Sequence, residues 1–592
     1  MSTAFTPPLD DLRFVLDSLI DVPAVQALPG HADSSRELID AVLEEAGKFS
    51  AQVLAPLNRE GDIKGSRWKD GEVTSAPGFR DAYAQYCESG WNALPFPVEW
   101  GGQGLPNIVS SPVSEMVMSA NLSFSLCPML TAGAVSALVL VGSDHLRNTY
   151  LPKMIDGSWT GTMNLTEPQA GSDLSLVRTR AVPEGDHYRV SGQKIFITWG
   201  EHDMTENIVH LVLARLPDAP EGVKGISLFV VPKFLVNPDG SLGARNDVRC
   251  ASLEHKLGIH ASPTAVLNFG EKDGAIGYLV GEANRGLEYM FIMMNEARYA
   301  VGVQGIAIGE RAYQQAAAYA HERLQGRDIS NPRGPTAPIA RQPDVRRMLL
   351  TMRAITEANR ALSMTLAALL DHGHAGDKDA QALAEFLVPI HKGWATEAAN
   401  EVTSLGVQVH GGMGFIEETG AAQHLRDARI TAIYEGTTAI QANDLIGRKI
   451  ARDGGAAAAA IAAQIRAAVD ALDERDPDLT AIRARLASAL EAFEACVAWV
   501  VQNYAKDPIA VHAGSVPFLV LSGLTCGGWQ MARMASVARC RLDAGEGDAG
   551  FNTAKLKTAR FYADHLLTRV AGLREQVLAG ASAVAEFPEE RF

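Results

Sequence analysis

The sequence predicts a mixed helical and β protein, in which a β domain lies between two helical domains and a further helical domain follows. Apolar residues recur at helical spacing in the first part of the chain, and short β-branched runs broken by Gly, Pro and Asn occupy the middle. Helical spacing then returns and continues to the end. The predicted domains are 1–155, 156–275, 276–450 and 451–592.

The first domain is predicted to be mostly helical. The run "SSRELIDAVLEEAGKFSAQVLAPLNREG" has apolar residues three and four positions apart and begins with serines, as helix starts often do. A stretch without charge follows between Glu115 and Asp144, and its length would suffice for a membrane span. Because Asn121, several serines and Gly133 interrupt this stretch, we expect a buried helix pair that is broken near Pro128.

The second domain is predicted to be all β. The runs "HYRVSGQKIFIT", "NIVHLVLARL", "GISLFVVPKF" and "TAVLNFG" are short and rich in β-branched residues. The third domain contains three long helical patterns, which begin near residues 287, 344 and 380. The last of them ends at the pair Gly411 and Gly412, as helix C-termini often do.

The last domain, 451–592, follows the glycine pair Gly454 and Gly455 and has the composition of a further helical bundle. It carries 15 Lys and Arg against 17 Asp and Glu, which is a net charge of −2. Peripheral membrane binding usually requires a basic surface. We therefore expect this extension to pack on the rest of the protein, with membrane docking as the alternative.

Composition excludes several classes of function. The net charge of −16 disfavours nucleic acid as a partner, because phosphate binding requires a basic surface. The six cysteines form no CxxC pair, so neither a disulfide framework nor a zinc site is expected, and no other metal site is predicted. The first residues lack a basic segment followed by an apolar one, so we expect a cytoplasmic protein.

Four short segments carry the candidate chemistry: "TEPQAGSD" (166–173), "GQKIFITWG" (192–200), "QVHGGMGF" (408–415) and "IYEGTT" (433–438). Each has an ordinary structural interpretation, namely a turn, a strand, a helix C-cap and a helix start. Glu435 is the most unusual residue among them, because it lies between Tyr434 and Gly436 in an apolar segment. If it faces a cavity, loss of solvent would raise its pKa and let it take a proton from carbon.

Taken together, these segments resemble the acyl-CoA dehydrogenase family over about residues 35–450. The most specific pieces are "TEPQAGSD", "QVHGGMGF" followed by "LRDARI", and "IYEGTT". The resemblance implies an N-terminal helical domain, a middle β-barrel-like domain and a C-terminal four-helix bundle, here followed by an extra helical domain. That extension suggests the subgroup that includes methylthiopropionyl-CoA dehydrogenases and bacterial broad- or long-chain enzymes.

The resemblance also implies roles for individual residues. Glu435 matches the catalytic base. The positions that match FAD contacts are Met163, Leu165, Thr166, Gly171, Ser172, Phe196, Thr198, Arg323, Gln408, Gly412 and Thr437. The positions that match substrate contacts are Ser172, Asn295, Arg298, Glu435 and Gly436.

This sequence departs from the family pattern at several of these places. Phe196 stands where the family usually has Trp, and Asn295 stands where it usually has Asp. Gln325–Gly326 and Ala439 replace family residues near the adenosine end of FAD.

The family chemistry is the α,β-dehydrogenation of an acyl-CoA to its trans-2-enoyl-CoA, in fatty-acid β-oxidation or related catabolism. The resemblance further implies that the electrons pass to electron-transferring flavoprotein and that a homodimer completes the FAD sites across its interface. An acyl-CoA oxidase that uses oxygen is the near alternative. A non-catalytic flavoprotein on the same fold is the alternative from another class.

Overall fold

The computed structural model describes residues 4–592 of the 592-residue chain. The chain forms two compact units that are interleaved in sequence. The helical unit comprises Met1–Glu44, Pro106–Ser119 and Val301–Phe592, and the β unit comprises Glu45–Leu105 and Ala120–Ala300. The predicted order of helical, β and helical segments is confirmed along the chain.

The helices are α1 (Leu9–Leu19), α2 (Val22–Gln26), α3 (Arg36–Phe49), α4 (Ala55–Lys64), α5 (Phe79–Glu88), α6 (Asn107–Ala120), α7 (Leu122–Val141), α8 (Asp144–Ile155), α9 (Gly286–Glu322), α10 (Pro343–His374), α11 (Lys378–His410), α12 (Ala421–Ala428), α13 (Thr438–Ile446), α14 (Ala456–Asp470), α15 (Pro477–Asn503), α16 (Pro508–Ala513), α17 (Ser515–Ala544), α18 (Ala549–His565), α19 (Arg569–Leu578) and α20 (Ser582–Ala585). The three long helices predicted for the third domain are α9, α10 and α11.

The strands are β1 (Arg67–Lys69), β2 (Glu72–Thr74), β3 (Trp159–Asn164), β4 (Arg180–Glu184), β5 (His187–Thr198), β6 (Asn207–Arg215), β7 (Ile226–Pro232), β8 (Phe234–Val236), β9 (Leu242–Arg245), β10 (Val248–Leu253), β11 (Thr264–Phe269), β12 (Ala275–Val280), β13 (Leu324–Arg327) and β14 (Thr336–Pro338). The four runs predicted as strands in the second domain are found in β5, β6, β7 and β11.

The main sheet is largely antiparallel and curls into a closed ring of five strands. Its order is β10-β11-β5-β12-β7-β6-β3, and β4 pairs with both β5 and β6, which closes the ring. β3 instead runs parallel to β6, with Trp159 opposite Asn207. The run "NIVHLVLA" in β6 is buried throughout, as expected for a strand that is covered on both faces. The barrel-like β domain expected from the family resemblance is thus confirmed.

Helix α7 contributes to the core of the β unit, where Ala134, Val135 and Leu138 are fully buried. In the described residues it is the one helix that is long and apolar enough to cross a membrane, and 61% of its most apolar window is buried. The expected break near Pro128 is wrong, because α7 passes through this residue. The preceding helix ends instead at Ala120. The side chain of the next residue, Asn121, accepts a hydrogen bond from Phe124 N at 3.1 Å and caps α7.

The extension packs on α11 within the helical unit. Trp394 of α11 lies over Gly523 and Gly527 of α17, where added Cβ atoms would come within 2.2 and 2.4 Å of the indole. A side chain at either glycine would therefore displace the tryptophan. This contact agrees with the expectation that the extension packs on the rest of the protein.

Buried ion pairs connect the extension to α1 and α10. Lys555 of α18 is 1% exposed and contacts the carboxylates of Asp11 and Glu357. Arg360 of α10 is equally buried and contacts Glu115 at 2.6 Å and Glu310 at 2.8 Å. Losing one member of such a group leaves an uncompensated charge in the core, so these contacts fix the relative positions of the helices.

Candidate active site

Glu435 lies in a short loop between a 3-10 turn, Arg429–Ala432, and helix α13. Its φ angle is 53° and that of Gly436 is 88°, so two consecutive residues have a left-handed backbone. Such a conformation is uncommon for residues other than glycine, and it is often found at functional sites. Thr437 then caps α13, with its Oγ1 accepting a hydrogen bond from Ile440 N at 3.3 Å. The carboxylate is therefore presented just before a helix N-terminus, which favours negative charge.

Tyr434, the residue before Glu435, is anchored within the helical unit. Its hydroxyl donates a hydrogen bond to Gln304 Oε1 of α9. Burial, together with the neighbouring Glu435 carboxylate, raises the pKa of Tyr434 far above its ordinary value. The phenol therefore stays neutral, and its hydroxyl keeps the proton that it donates to Gln304.

Two side chains hold the backbone of the Glu435 loop. Lys392 of α11 donates from Nζ to the carbonyl oxygens of Thr431 and Gly436. Gln441 of α13 donates from Nε2 to the carbonyl oxygens of Glu435, at 3.2 Å, and Gly436, at 3.3 Å. A Cβ at position 436 would lie 2.7 Å from that Nε2, so packing and backbone conformation both require glycine there.

In the β unit, two of the predicted segments meet side by side. The carbonyl oxygen of Thr166 accepts a hydrogen bond from Ile195 N at 2.9 Å. The carbonyl oxygen of Leu165 accepts one from Lys194 Nζ at 3.0 Å. The "TEPQAGSD" loop therefore runs along the end of β5, close to Phe196 and Thr198.

A buried ion pair holds this cofactor loop, which we define as residues 165–173. Glu167 accepts hydrogen bonds from Lys194 Nζ at 2.8 Å and from Thr179 Oγ1 at 2.6 Å. The backbone N–H groups of Arg178 and Thr179 also donate to it. Burial opposes ionisation of Glu167, but the Lys194 ammonium and these donors outweigh it and lower the pKa of Glu167 to about 2. Glu167 is therefore a fixed anion, whose role is to hold the loop.

Phe196 is 57% exposed and has a φ of 60°, so a strained backbone turns a flat aromatic ring outward at the end of β5. Trp199 also has a positive φ, of 52°, but it is buried. Its indole donates to Ser123 O at 3.2 Å and stacks on Phe79. Phe196 is thus the aromatic side chain of this segment that is available to a ligand.

Comparison with known proteins decides the family. The models for the N-terminal, middle and C-terminal domains of acyl-CoA dehydrogenases match residues 37–158, 162–271 and 284–450. The chain belongs to the acyl-CoA dehydrogenase family. A further model, described as acetyl-CoA dehydrogenase C-terminal like, matches residues 458–588 of the extension.

Several acyl-CoA dehydrogenases match almost the entire chain. The 3-methylmercaptopropionyl-CoA dehydrogenase of Ruegeria pomeroyi is 51% identical over 97% of this chain and 98% of its own length. The broad-specificity linear acyl-CoA dehydrogenase FadE5 of Mycobacterium tuberculosis is 35% identical over 98% of this chain and 99% of its own. These matches confirm the resemblance to the subgroup with a C-terminal extension.

Among solved structures, an acyl-CoA dehydrogenase of Bacillus anthracis complexed with FAD has a TM-score of 0.73 and 22% identity. The match covers 96% of this chain and 91% of that one, and it shows that the fold is shared. The fold class expected from the sequence is confirmed.

FAD is the cofactor of the acyl-CoA dehydrogenase family, and the β unit of this member fits it. The hydroxyls of Thr166, Ser172 and Thr198 have no hydrogen-bond partner among the described residues, so they are free to bind polar atoms of a flavin. Gly171 is exposed, and a Cβ added there would meet no atom within 4 Å. The exposed ring of Phe196 offers an aromatic surface beside them, whereas Met163 of β3 is 5% exposed.

Two of the predicted substrate contacts of this dehydrogenase lie on α9 within the β unit. Asn295 is exposed, as a contact with the polar part of CoA requires. Arg298 is 3% exposed. A guanidinium that is buried in this way can bind CoA only if the ligand enters the protein as far as Arg298. The CoA contact of Arg298 therefore stays a prediction.

The predicted contacts with a partner's FAD lie in the helical unit. Arg323, Gln408 and Gly412 are all exposed, and a Cβ at Gly412 would meet no atom within 4 Å. One turn before Arg323, Tyr319 stacks on His410 at 4.5 Å. The end of α9 and the "QVHGGMGF" segment are thus neighbours, which agrees with a shared role in binding.

The supporting residues of the site were not predicted from the sequence. Glu167 belongs to the motif "TEPQAGSD", but no role was predicted for it. Lys194 belongs to "GQKIFITWG", which was predicted only as a strand. Lys392 and Gln441 lay in helical patterns. A lysine among apolar residues, as in "LVPIHKGW", was the one available signal for Lys392, because lysine is seldom fully buried.

Proposed function

We propose that this chain oxidises a short acyl-CoA, with 3-methylmercaptopropionyl-CoA as the substrate, to the corresponding trans-2-enoyl-CoA. The observation that carries the dehydrogenation is Glu435, a carboxylate held in a left-handed loop ahead of a helix N-terminus. The substrate is supported by the 51% identity, over 97% of this chain, to the Ruegeria pomeroyi enzyme of that name.

In this mechanism Glu435 takes the α-proton of the acyl group. The electron pair of that C–H bond forms the new double bond between the α- and β-carbons. FAD, when bound, would supply the acceptor for the β-hydrogen and its electron pair. The backbone N–H of Glu435 would bind the thioester oxygen and stabilise the negative charge that develops there.

Thr166, Ser172 and Thr198 would hold the flavin ring, and Phe196 would cover it. Ser172 and Asn295 would contact CoA, and Gly436 would keep the backbone uncrowded beside the thioester. We further propose that electron-transferring flavoprotein accepts the electrons and that the enzyme is a cytoplasmic homodimer of acyl-CoA catabolism. In that homodimer Arg323, Gln408 and Gly412 complete the partner's FAD site.

The first test is Glu435→Gln, which removes the base and preserves its shape. We expect the variant to retain FAD and to lose about 10²–10⁴-fold in kcat, as is usual for loss of a general base. Turnover is followed with an artificial electron acceptor, and FAD content by visible absorbance. Glu418→Gln is the control, since Glu418 is an exposed glutamate of the same unit. Near-normal turnover of the Glu435 variant with any acyl-CoA would rule out this base.

The second test is a substrate panel that compares 3-methylmercaptopropionyl-CoA, butyryl-CoA and long linear acyl-CoAs. We expect the highest kcat/KM for the thioether substrate, and enoyl-CoA formation without peroxide in air. A clear preference for long chains would contradict the proposed substrate. Stoichiometric peroxide would identify an oxidase instead.

A further inference from the structure

We propose that Lys392 is a positioning residue, which fixes the backbone of the loop that carries Glu435. The inference rests on the proposed function, because it assigns Lys392 a role only if Glu435 is the base. Lys392 itself is separated from solvent and is not proposed to touch the substrate.

Lys392 lies in the middle of α11 and is fully buried, with 0% of its surface exposed. Its Nζ donates hydrogen bonds to Thr431 O at 2.9 Å and to Gly436 O at 2.6 Å. These two oxygens lie on opposite sides of Glu435 in the sequence. One side chain therefore connects the two ends of the Glu435 loop.

A second contact from α11 reaches the end of the same loop. The Glu397 carboxylate accepts a hydrogen bond from Thr438 Oγ1, at the first residue of α13. Lys392 and Glu397 lie less than two turns apart on one helix. α11 thus holds the loop before Glu435, directly after it, and at the start of the following helix.

The conformation of the loop explains why such support is required. Glu435 has a positive φ angle, which is strained for a residue other than glycine and which a free loop would readily leave. The bond from Lys392 fixes the direction of the Gly436 carbonyl, and Gln441 fixes that of Glu435. Together they set the planes of the peptide bonds that follow the base, and so they set where its carboxylate points.

A purely structural role does not account for a lysine at this position. Methionine has nearly the same length and would fill the same space without the cost of removing an amine from water. What methionine lacks is the N–H donors that the two carbonyl oxygens accept. The structure therefore assigns Lys392 a role in geometry rather than in filling the core.

The test is Lys392→Met, with Lys392→Gln as the variant that keeps N–H donors. We expect Lys392→Met to retain FAD and to lose about 10²-fold in kcat, because displacements of about 1 Å at a reacting group have that effect. KM should change far less than kcat. Lys392→Gln should recover part of the loss.

The matched control is Lys555→Met, at another buried lysine of the same unit. It should lower the thermal midpoint and leave kcat per bound FAD unchanged. If Lys392→Met does the same, the positioning role is wrong. Recovery of kcat in Lys392→Gln, without a matching gain in thermal midpoint, supports it.

A double variant covers the case in which Lys392→Met does not fold. Lys392→Gln and Gln441→Leu act on a shared acceptor, Gly436 O, so their effects on kcat should not multiply. Independent, multiplicative effects would contradict the proposal.

Glu435→Gln, assayed in parallel, separates the proposed function from the positioning role of Lys392. Activity in that variant overturns the proposed function, whereas its loss combined with normal kcat in the Lys392 variants overturns only the positioning role.

Discussion

The cofactor loop of the β unit and the Glu435 loop of the helical unit each combine a glutamate with a fully buried lysine. Lys194 and Lys392 are both 0% exposed. In the cofactor loop the lysine binds the glutamate itself, since Lys194 Nζ lies 2.8 Å from Glu167 Oε1. In the Glu435 loop the lysine binds peptide carbonyls on either side of the glutamate.

The difference shows how one pair of residue types can serve two purposes. Glu167 receives donors from a lysine, a threonine and two backbone amides, so its proton affinity is low and it stays ionised. A glutamate held in that way cannot take a proton from substrate near neutral pH. In the proposed mechanism Glu435 must change its protonation state, and there the buried lysine, Lys392, donates to the carbonyl oxygens of Thr431 and Gly436.

The strongest challenge to this comparison is Glu167→Gln, which leaves the buried Lys194 ammonium without its counter-ion. Removal of one partner from a buried pair costs about 3–5 kcal/mol, and we expect a loss of that size in the free energy of unfolding. FAD should also be retained less tightly, because the cofactor loop is released. Urea unfolding and FAD retention on dilution measure the two effects.

The control for this variant is the double change Glu167→Gln with Lys194→Met, which should recover most of the stability because no buried charge remains. Glu184→Gln, at an exposed pair with Arg189 on the same barrel, should leave the unfolding midpoint unchanged. If the double variant were no more stable than Glu167→Gln, the ion pair would not be the source of the loss.

A smaller effect is expected on the stability of the protein when the pH is lowered. The pKa of Glu167 is about 2 in the folded protein against 4.5 as its ordinary value, so its stabilisation is complete above about pH 4.5 and is lost as the pH falls toward 2. The double variant Glu167→Gln with Lys194→Met is the reference, because it removes the titration of Lys194 as well. Relative to this reference, the thermal midpoint of the wild type should be constant from about pH 7 to about pH 5 and should fall below about pH 4.5. If this difference in thermal midpoint stayed constant down to about pH 3, the Glu167 carboxylate would not be held ionised by its partners.

The smallest expected effect concerns the start of α13. Thr437→Val keeps the shape of the side chain and removes the hydroxyl that caps the helix, at a cost of about 1 kcal/mol. Thr437→Ser keeps the cap and should be close to wild type in its unfolding midpoint. A change in FAD affinity in the valine variant alone would indicate that the hydroxyl also binds cofactor. Equal stability of the two variants would exclude the cap as a source of stability.

Much of the fold could be predicted because its signals are local. Helical spacing predicted α9, α10 and α11, and β-branched runs predicted strands in the β unit. The break near Pro128 was predicted wrongly. A proline within a helix removes one backbone N–H donor, and α7 tolerates that loss at Pro128. The capping side chain of Asn121 is the stronger signal for where α7 begins.

The sequence by itself determined the order of the domains, the four motifs and the choice of Glu435, because these depend on residue type and short spacing. Only the tertiary structure decided what holds those motifs. Lys194 lies 27 residues from Glu167, Lys392 lies 39 and 44 residues from its two acceptors, and Tyr434 lies 130 residues from Gln304. Contacts across such separations follow from how helices and strands pack, and packing is a property of the folded chain as a whole.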